Sequence, residues 1–188
     1  MELEENALKE LGLTRRVDSL GRVVIPKELR KVLHIQEGSP LEIYMDGNEG
    51  IILKKYSPVG ELRSTSQAYA DSLAQIAGGL VCISDRDEII AAAGKSSKKY
   101  EGKRPSKELC ELMENRSQAM YCKKNRNLIR VVEDDECDYY GQAVAAIVND
   151  GDCAGAVVLC ARDEKEYKPE VEQKLVAAAA GFLSRQIG

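Results

Sequence analysis

The chain has 188 residues, enough for one large or two small domains, with 44% hydrophobic and 31% charged residues and a formal net charge of −4. That balance excludes a disordered chain, and no apolar run approaches the roughly 20 residues that a membrane span needs. The acidic opening MELEENALKELG lacks the basic-then-apolar order of a secretory signal, so a cytoplasmic location with no membrane partner is expected.

Residues 1–12 have the pattern of a short helix, with Leu3, Ala7, Leu8 and Leu11 at helical spacing and Gly12 as a stop. From Thr14 the text changes to strand, tight turn, strand and helix. Asp18 and Gly21 are the favoured ends of a type I turn, Val23, Val24 and Ile25 are β-branched, and Pro26 suits the first helical position. Leu41, Ile43 and Met45 alternate with Glu42 and Tyr44 as in a half-buried strand, and residues 46–50 form a hairpin loop before the returning strand IILKKY. These 43 residues, 14–56, are too few to bury an adequate core alone. Their strand edges also need a partner. Both arguments ask for a dimer.

Ser57-Pro58 opens a helix over 57–77, with Ser as N-cap. Val59, Leu62, Ser66, Tyr69, Leu73 and Ile76 form an a/d seam, which suits either a helix lying on its own domain or a parallel pair joining two protomers. Gly78-Gly79 ends it. Residues 80–84 and 88–92 then flank a polar turn as a hairpin, and Pro105-Ser106 starts a helix to about residue 116. Strands are expected near 119–122 and 128–132, and a hairpin over 140–161 turns at Asn149-Asp-Gly-Asp152. A last helix begins at Pro169, with Val171, Leu175, Ala178, Phe182 and Leu183 as its buried stripe and Val176, Ala179 and Ile187 widening it. Antiparallel strands with helices around them make the whole an α+β fold.

Charge is distributed unevenly along this order. Residues 14–31 carry six cations (Arg15, Arg16, Arg22, Lys27, Arg30 and Lys31) against Asp18 and Glu28, an excess of four positive charges inside an acidic protein. Such asymmetry marks a steering surface for a polyanion. An arginine fork bonds phosphate or a guanine edge through two parallel hydrogen bonds, which a lysine ammonium cannot do. Asp18 and Glu28 are placed to orient neighbouring arginines. Two further basic stretches, Lys95, Lys98, Lys99, Lys103 and Arg104, then Lys123, Lys124, Arg126 and Arg130, have the look of solvated loops. The acidic triplet at 134–136 has the look of an exposed turn.

Catalytic and metal chemistry have no support. There is no Gly-rich phosphate loop, nucleophile elbow or metal-ligand spacing, and His34 as the only histidine excludes His-dependent catalysis. The six cysteines, Cys82, Cys110, Cys122, Cys137, Cys153 and Cys160, form no Cys-x-x-Cys pair, and reduced thiols acting as small hydrophobes are expected. Cys137, within Asp-Asp-Glu-Cys-Asp, is expected to be exposed. No catalytic residue, metal site or cofactor is therefore assigned.

The stretch TRRVDSLGRVVIPKELRKVL at 14–33 resembles the opening of the AbrB/SpoVT family of bacterial transition-state regulators. The resemblance implies a dimeric swapped-hairpin β-barrel over 14–56 that binds double-stranded DNA. It maps Arg15, Arg16, Arg22 and Arg30 onto DNA-contacting positions, and Lys31 onto one where arginine is common, so that a phosphate contact is expected there. GKSSKKY at 94–100, ENRS at 114–117 and GDCAGAVV at 151–158 resemble the GAF-like domain of the SpoVT branch. That implies a linker or coiled-coil helix over 57–77 and a GAF-like α/β sensor domain over 78–188, with a homotetramer if the C-terminal halves pair separately; residues 1–13 depart from the family pattern and are read as an N-terminal extension. The functional expectation is a sequence-specific transcription regulator of sporulation or transition-state genes, with a small-molecule effector of unknown identity. The alternatives are an antitoxin-type DNA-binding protein that neutralises a partner toxin, and a metabolite or redox sensor.

Overall fold

The computed structural model describes residues 13–33, 35, 37–47, 50–125 and 128–187. The helix expected over 1–12 lies outside them, as does His34. The chain divides into two units, one ending at Tyr56 and the other running from Ser57 onward.

The first unit contains helix α1 (Lys27–Val32) and a two-stranded antiparallel hairpin, β1 (Leu41–Met45) with β2 (Ile51–Lys55), in the register Leu41↔Lys55 to Met45↔Ile51. The expected turn is formed: Gly21 N donates to Asp18 O and Asp18 N to Arg22 O, both at 3.0 Å. The flanking residues 15–17 and 23–25, expected as strands, are not laddered as strands. Pro26 stands one position earlier than its composition implied, as N-cap with ψ 144°, and its carbonyl accepts from Arg30 N at 2.9 Å. The unit leaves its apolar side chains uncovered, with Leu20 73%, Val24 72%, Ile43 71% and Met45 84% exposed. The half-buried strand expected at 41–45 is corrected from Ile43 onward: Leu41 and Glu42 are half-buried, but Ile43, Tyr44 and Met45 are exposed among the described residues of the first unit. No closed barrel forms among the described residues of a single chain.

The second unit is a five-stranded antiparallel sheet in the order β4-β3-β7-β6-β5, from β3 (Leu80–Ser84), β4 (Ile89–Ala93), β5 (Gln118–Cys122), β6 (Gly141–Asn149) and β7 (Asp152–Ala161). Helices α2 (Pro58–Glu61), α3 (Arg63–Ala77) and α5 (Pro169–Gln186) cover one face, packing Val59, Ala70, Leu73, Val176 and Leu183 on Val81, Ile83, Ala145, Val157 and Leu159. Helix α4 (Lys107–Glu114) and the loops around it cover the other, packing Leu109, Leu112 and Met113 on Cys82, Val144, Val158 and Cys160. With both faces covered, β3 and β4 are buried at every position, whereas a one-sided sheet would alternate.

Four local expectations change. The helix at 57–77 is two helices, because Leu62 N reaches back only to Val59 O at 3.0 Å; its seam lies on the sheet of its own unit, burying Val59, Ser66 and Leu73 and leaving Ile76 70% exposed. The helix expected from Pro105 starts at Lys107, with Ser106 as N-cap. The strand expected over 128–132 reduces to one bridge, Pro105↔Val132. Side chains there take the backbone groups a strand would have used: Gln142 bonds Ile129 N and O at 3.2 and 3.1 Å, and Asp135 Oδ2 accepts from Val131 N at 2.9 Å. Finally, the buried stripe of α5 runs through Glu172, Val176, Ala179, Ala180 and Leu183, while Val171 is 49% exposed and Ala178 is exposed too. Glu172 turns inward because its Oε1 accepts from Lys168 N at 2.9 Å, closing the helix start.

Candidate nucleic-acid interface

Asp18 organises the basic segment. Its Oδ1 accepts from Leu20 N and Arg22 N, both at 2.9 Å, and its Oδ2 accepts from Arg22 Nε at 2.8 Å. One carboxylate thus fixes the turn and leans the Arg22 side chain, which stays 71% exposed. The Arg22 N–H, and then its guanidinium, hold the Asp18 carboxyl below its ordinary range. Gly21 occupies the left-handed region at φ 76°, which the turn needs and a Cβ would disfavour.

The other cations stand on either side of this turn. Arg15 and Arg16 precede it in the chain, and Arg15 Nη1 donates to Thr14 O at 3.0 Å. Arg30 and Lys31 lie in the last turn of α1. All five candidate residues, Arg15, Arg16, Arg22, Arg30 and Lys31, are exposed. Among the described residues, Arg16, Arg30 and Lys31 have no side-chain partner. Asp18 orients an arginine as expected; Glu28 has no arginine partner among the described residues. The remaining basic stretches are partly neutralised, through Lys103–Asp134 at 2.6 Å, Lys124–Glu164, and Arg130–Glu108 at 2.8 Å.

The second unit holds features that sequence reasoning missed. Asp135 is no exposed turn residue: it accepts from Tyr100 Oη and Tyr139 Oη, both at 2.9 Å, as well as from Val131 N and Cys137 N. It borders a cavity of about 410 Å³. Cys137 is half-buried rather than exposed, with its N–H on Asp135 and the Tyr139 hydroxyl against its sulfur. Burial pushes the Cys82, Cys160 and Cys153 thiols up from their ordinary value. Among the described residues no cluster of His, Cys, Asp and Glu is arranged to hold a metal, and no helix is long and apolar enough to cross a membrane.

Known proteins resemble both units. Residues 61–188 match the family described as Stage V sporulation protein T C-terminal, transcription factor, and residues 14–61 match Antidote-toxin recognition MazE, bacterial antitoxin. Stage V sporulation protein T of Bacillus subtilis is 45% identical over 181 residues, covering 96% of this chain and 99% of that one. Transition state regulatory protein AbrB of the same organism is 49% identical over 77 residues, covering 41% of this chain and 78% of that one. In fold, the GAF domain from Acinetobacter phosphoenolpyruvate-protein phosphotransferase superposes with a TM-score of 0.55 at 10% identity, covering 67% of this chain and 81% of that one. The C-terminal sheet and helices therefore share a GAF-type fold, and the chain belongs to the AbrB/SpoVT family of transcription regulators.

Proposed function

We propose that this chain binds double-stranded DNA sequence-specifically as a homodimer and regulates sporulation or transition-state genes from the cytoplasm. Arg15, Arg16, Arg22, Arg30 and Lys31 make the contacts, and two chains interleave their hairpins into a swapped-hairpin barrel. The observation that carries this reading is the set of exposed cations around the Asp18 turn, three of them unpaired among the described residues. The uncovered Ile43 and Met45 supply the reason for a second chain. In this reading residues 78–188 are a sensor, with the helices at 57–77 between sensor and DNA-binding unit. The antitoxin match at 14–61 fits the same barrel, but the match over 61–188 is to a transcription factor, which favours a regulator.

The test is operator binding by full-length Arg22→Ala and Arg30→Ala in matched salt. Each loses about 1–3 kcal/mol, roughly 5- to 150-fold in affinity, and wild-type affinity falls steeply with salt. Unchanged binding by both variants, with the dimer intact, refutes the interface.

A further inference from the structure

The cavity in the second unit has an unusual charge inventory. Lys95, Lys99, Lys103 and Arg162 line it together with Asp134, Asp135, Glu136 and Asp138. The acids all come from one loop, 134–138. The cations come from the segment after β4 and from the end of β7, and Lys103 Nζ–Asp134 Oδ2 at 2.6 Å ties the two groups together. Asp135 is fully engaged by two tyrosine hydroxyls and two backbone N–H groups. That leaves Lys95, Lys99 and Arg162 on one side of the inventory and Glu136 and Asp138 on the other, none with an ion-pair partner among the described residues. The apolar lining is Leu80, Val132 and Cys160. The volume of about 410 Å³ lies within the 300–1,000 Å³ of typical small-molecule sites.

Uncommitted charges of both signs beside one cavity discriminate between ligands. A phosphate or a dicarboxylate meets unpaired carboxylates, and a polyamine meets unpaired ammonium groups, so each suffers like-charge repulsion from half of the lining. A molecule carrying both signs, with an apolar part for Leu80, Val132 and Cys160, satisfies all of it. We propose that this cavity binds a small zwitterion with a carboxylate and an ammonium group, of the α-amino acid class. The carboxylate faces Lys95, Lys99 and Arg162, and the ammonium faces Glu136 and Asp138. This inference rests on the sensor part of the function proposed above and gives that sensor its ligand class.

The experiment is thermal unfolding of the full chain, without DNA, in a large excess of each of the twenty L-α-amino acids in turn. For any that shifts the transition, the corresponding amine and carboxylic acid are tested alone. At hundredfold excess over Kd, binding to the folded state alone raises Tm by roughly 5–10 °C. At least one amino acid does so, its two half-molecules do not, and Lys99→Glu and Glu136→Lys each abolish the shift while keeping the ligand-free Tm near wild type. The proposal is overturned if no amino acid shifts Tm, if either half-molecule does as well as the whole, or if the shift survives in both variants. Because DNA is absent, failure here leaves the arginine interface standing, and failure of operator binding leaves this site standing.

Discussion

Ser57 offers a sharp test of how the second unit begins. Its hydroxyl accepts from Gly60 N at 3.0 Å as the N-cap of α2 and donates to Asp85 Oδ2 at 2.6 Å. Asp85 is only 6% exposed, and its Oδ1 holds the β3–β4 turn through Asp87 N at 2.7 Å and Glu88 N at 2.8 Å. Ser57→Ala therefore removes a cap, about 1 kcal/mol, and strands one oxygen of a buried carboxylate, about 1.5–3 kcal/mol for a charged hydrogen bond. Ser57 is itself only part-buried, so water recovers some of this, and the expected loss is about 2–3 kcal/mol. That corresponds to a fall in Tm of roughly 5–10 °C. Urea unfolding of the full chain by far-UV circular dichroism measures it, with Ser57→Thr retaining most of the stability. A cycle with Asp85→Asn isolates the pair, whose coupling should reach about 1 kcal/mol or more. If Ser57→Ala stays within about 0.5 kcal/mol of wild type, the range of ordinary surface changes, the hydroxyl does not join the helix start to the hairpin.

Glu172 is 2% exposed and its Oε2 has no partner among the described residues, so burial raises its carboxyl pKa above that of the unfolded chain. Stability from this group is present below the unfolded value of 4.5 and declines as pH rises through the raised folded value; Glu172→Gln should gain about 1 kcal/mol near pH 7 and flatten Tm against pH, and a loss of stability there would refute this. Thiol labelling of the native chain should reach Cys110, Cys122 and Cys137 first and Cys82, Cys153 and Cys160 only with unfolding, since the latter three are buried; early labelling of any buried thiol contradicts the packing. Gly155→Ala should cost about 1–3 kcal/mol, because the new methyl would overlap the Ser84 carbonyl of the adjacent strand; a neutral result in denaturant titration would mean that β3 and β7 can separate freely.

Elements governed by local chemistry were legible in the sequence. Asn149-Asp-Gly-Asp152 marked the β6–β7 hairpin, Ser57-Pro58 the start of α2, and Asp18 with Gly21 the turn that orients Arg22. Where side chains from elsewhere decided the outcome, the pattern misled. Residues 128–132 are β-prone, but Gln142 and Asp135 bond their backbone and no ladder forms. On α5 the apolar spacing at Val171 and Ala178 looked buried, yet the bond from Lys168 N to Glu172 rotates the stripe. The cavity was invisible because its cations and acids lie far apart in the chain. Lys95 and Lys99 are brought beside Asp138 and Arg162 only by folding.

Strand β3 belongs to both layers of the second unit. Val81 and Ile83 point to the side of α2, α3 and α5, while Leu80 and Cys82 point to the side of α4. Leu80 also lines the cavity. Within the second unit the sheet thus stands between the cavity and helices α2, α3 and α5. Close-packed side chains on both faces leave the sheet little room to yield by compression. An occupant that pushes on Leu80 would tilt β3 as a stiff plate, and Val81 and Ile83 would carry the tilt to Val59 and Leu73 on the far face.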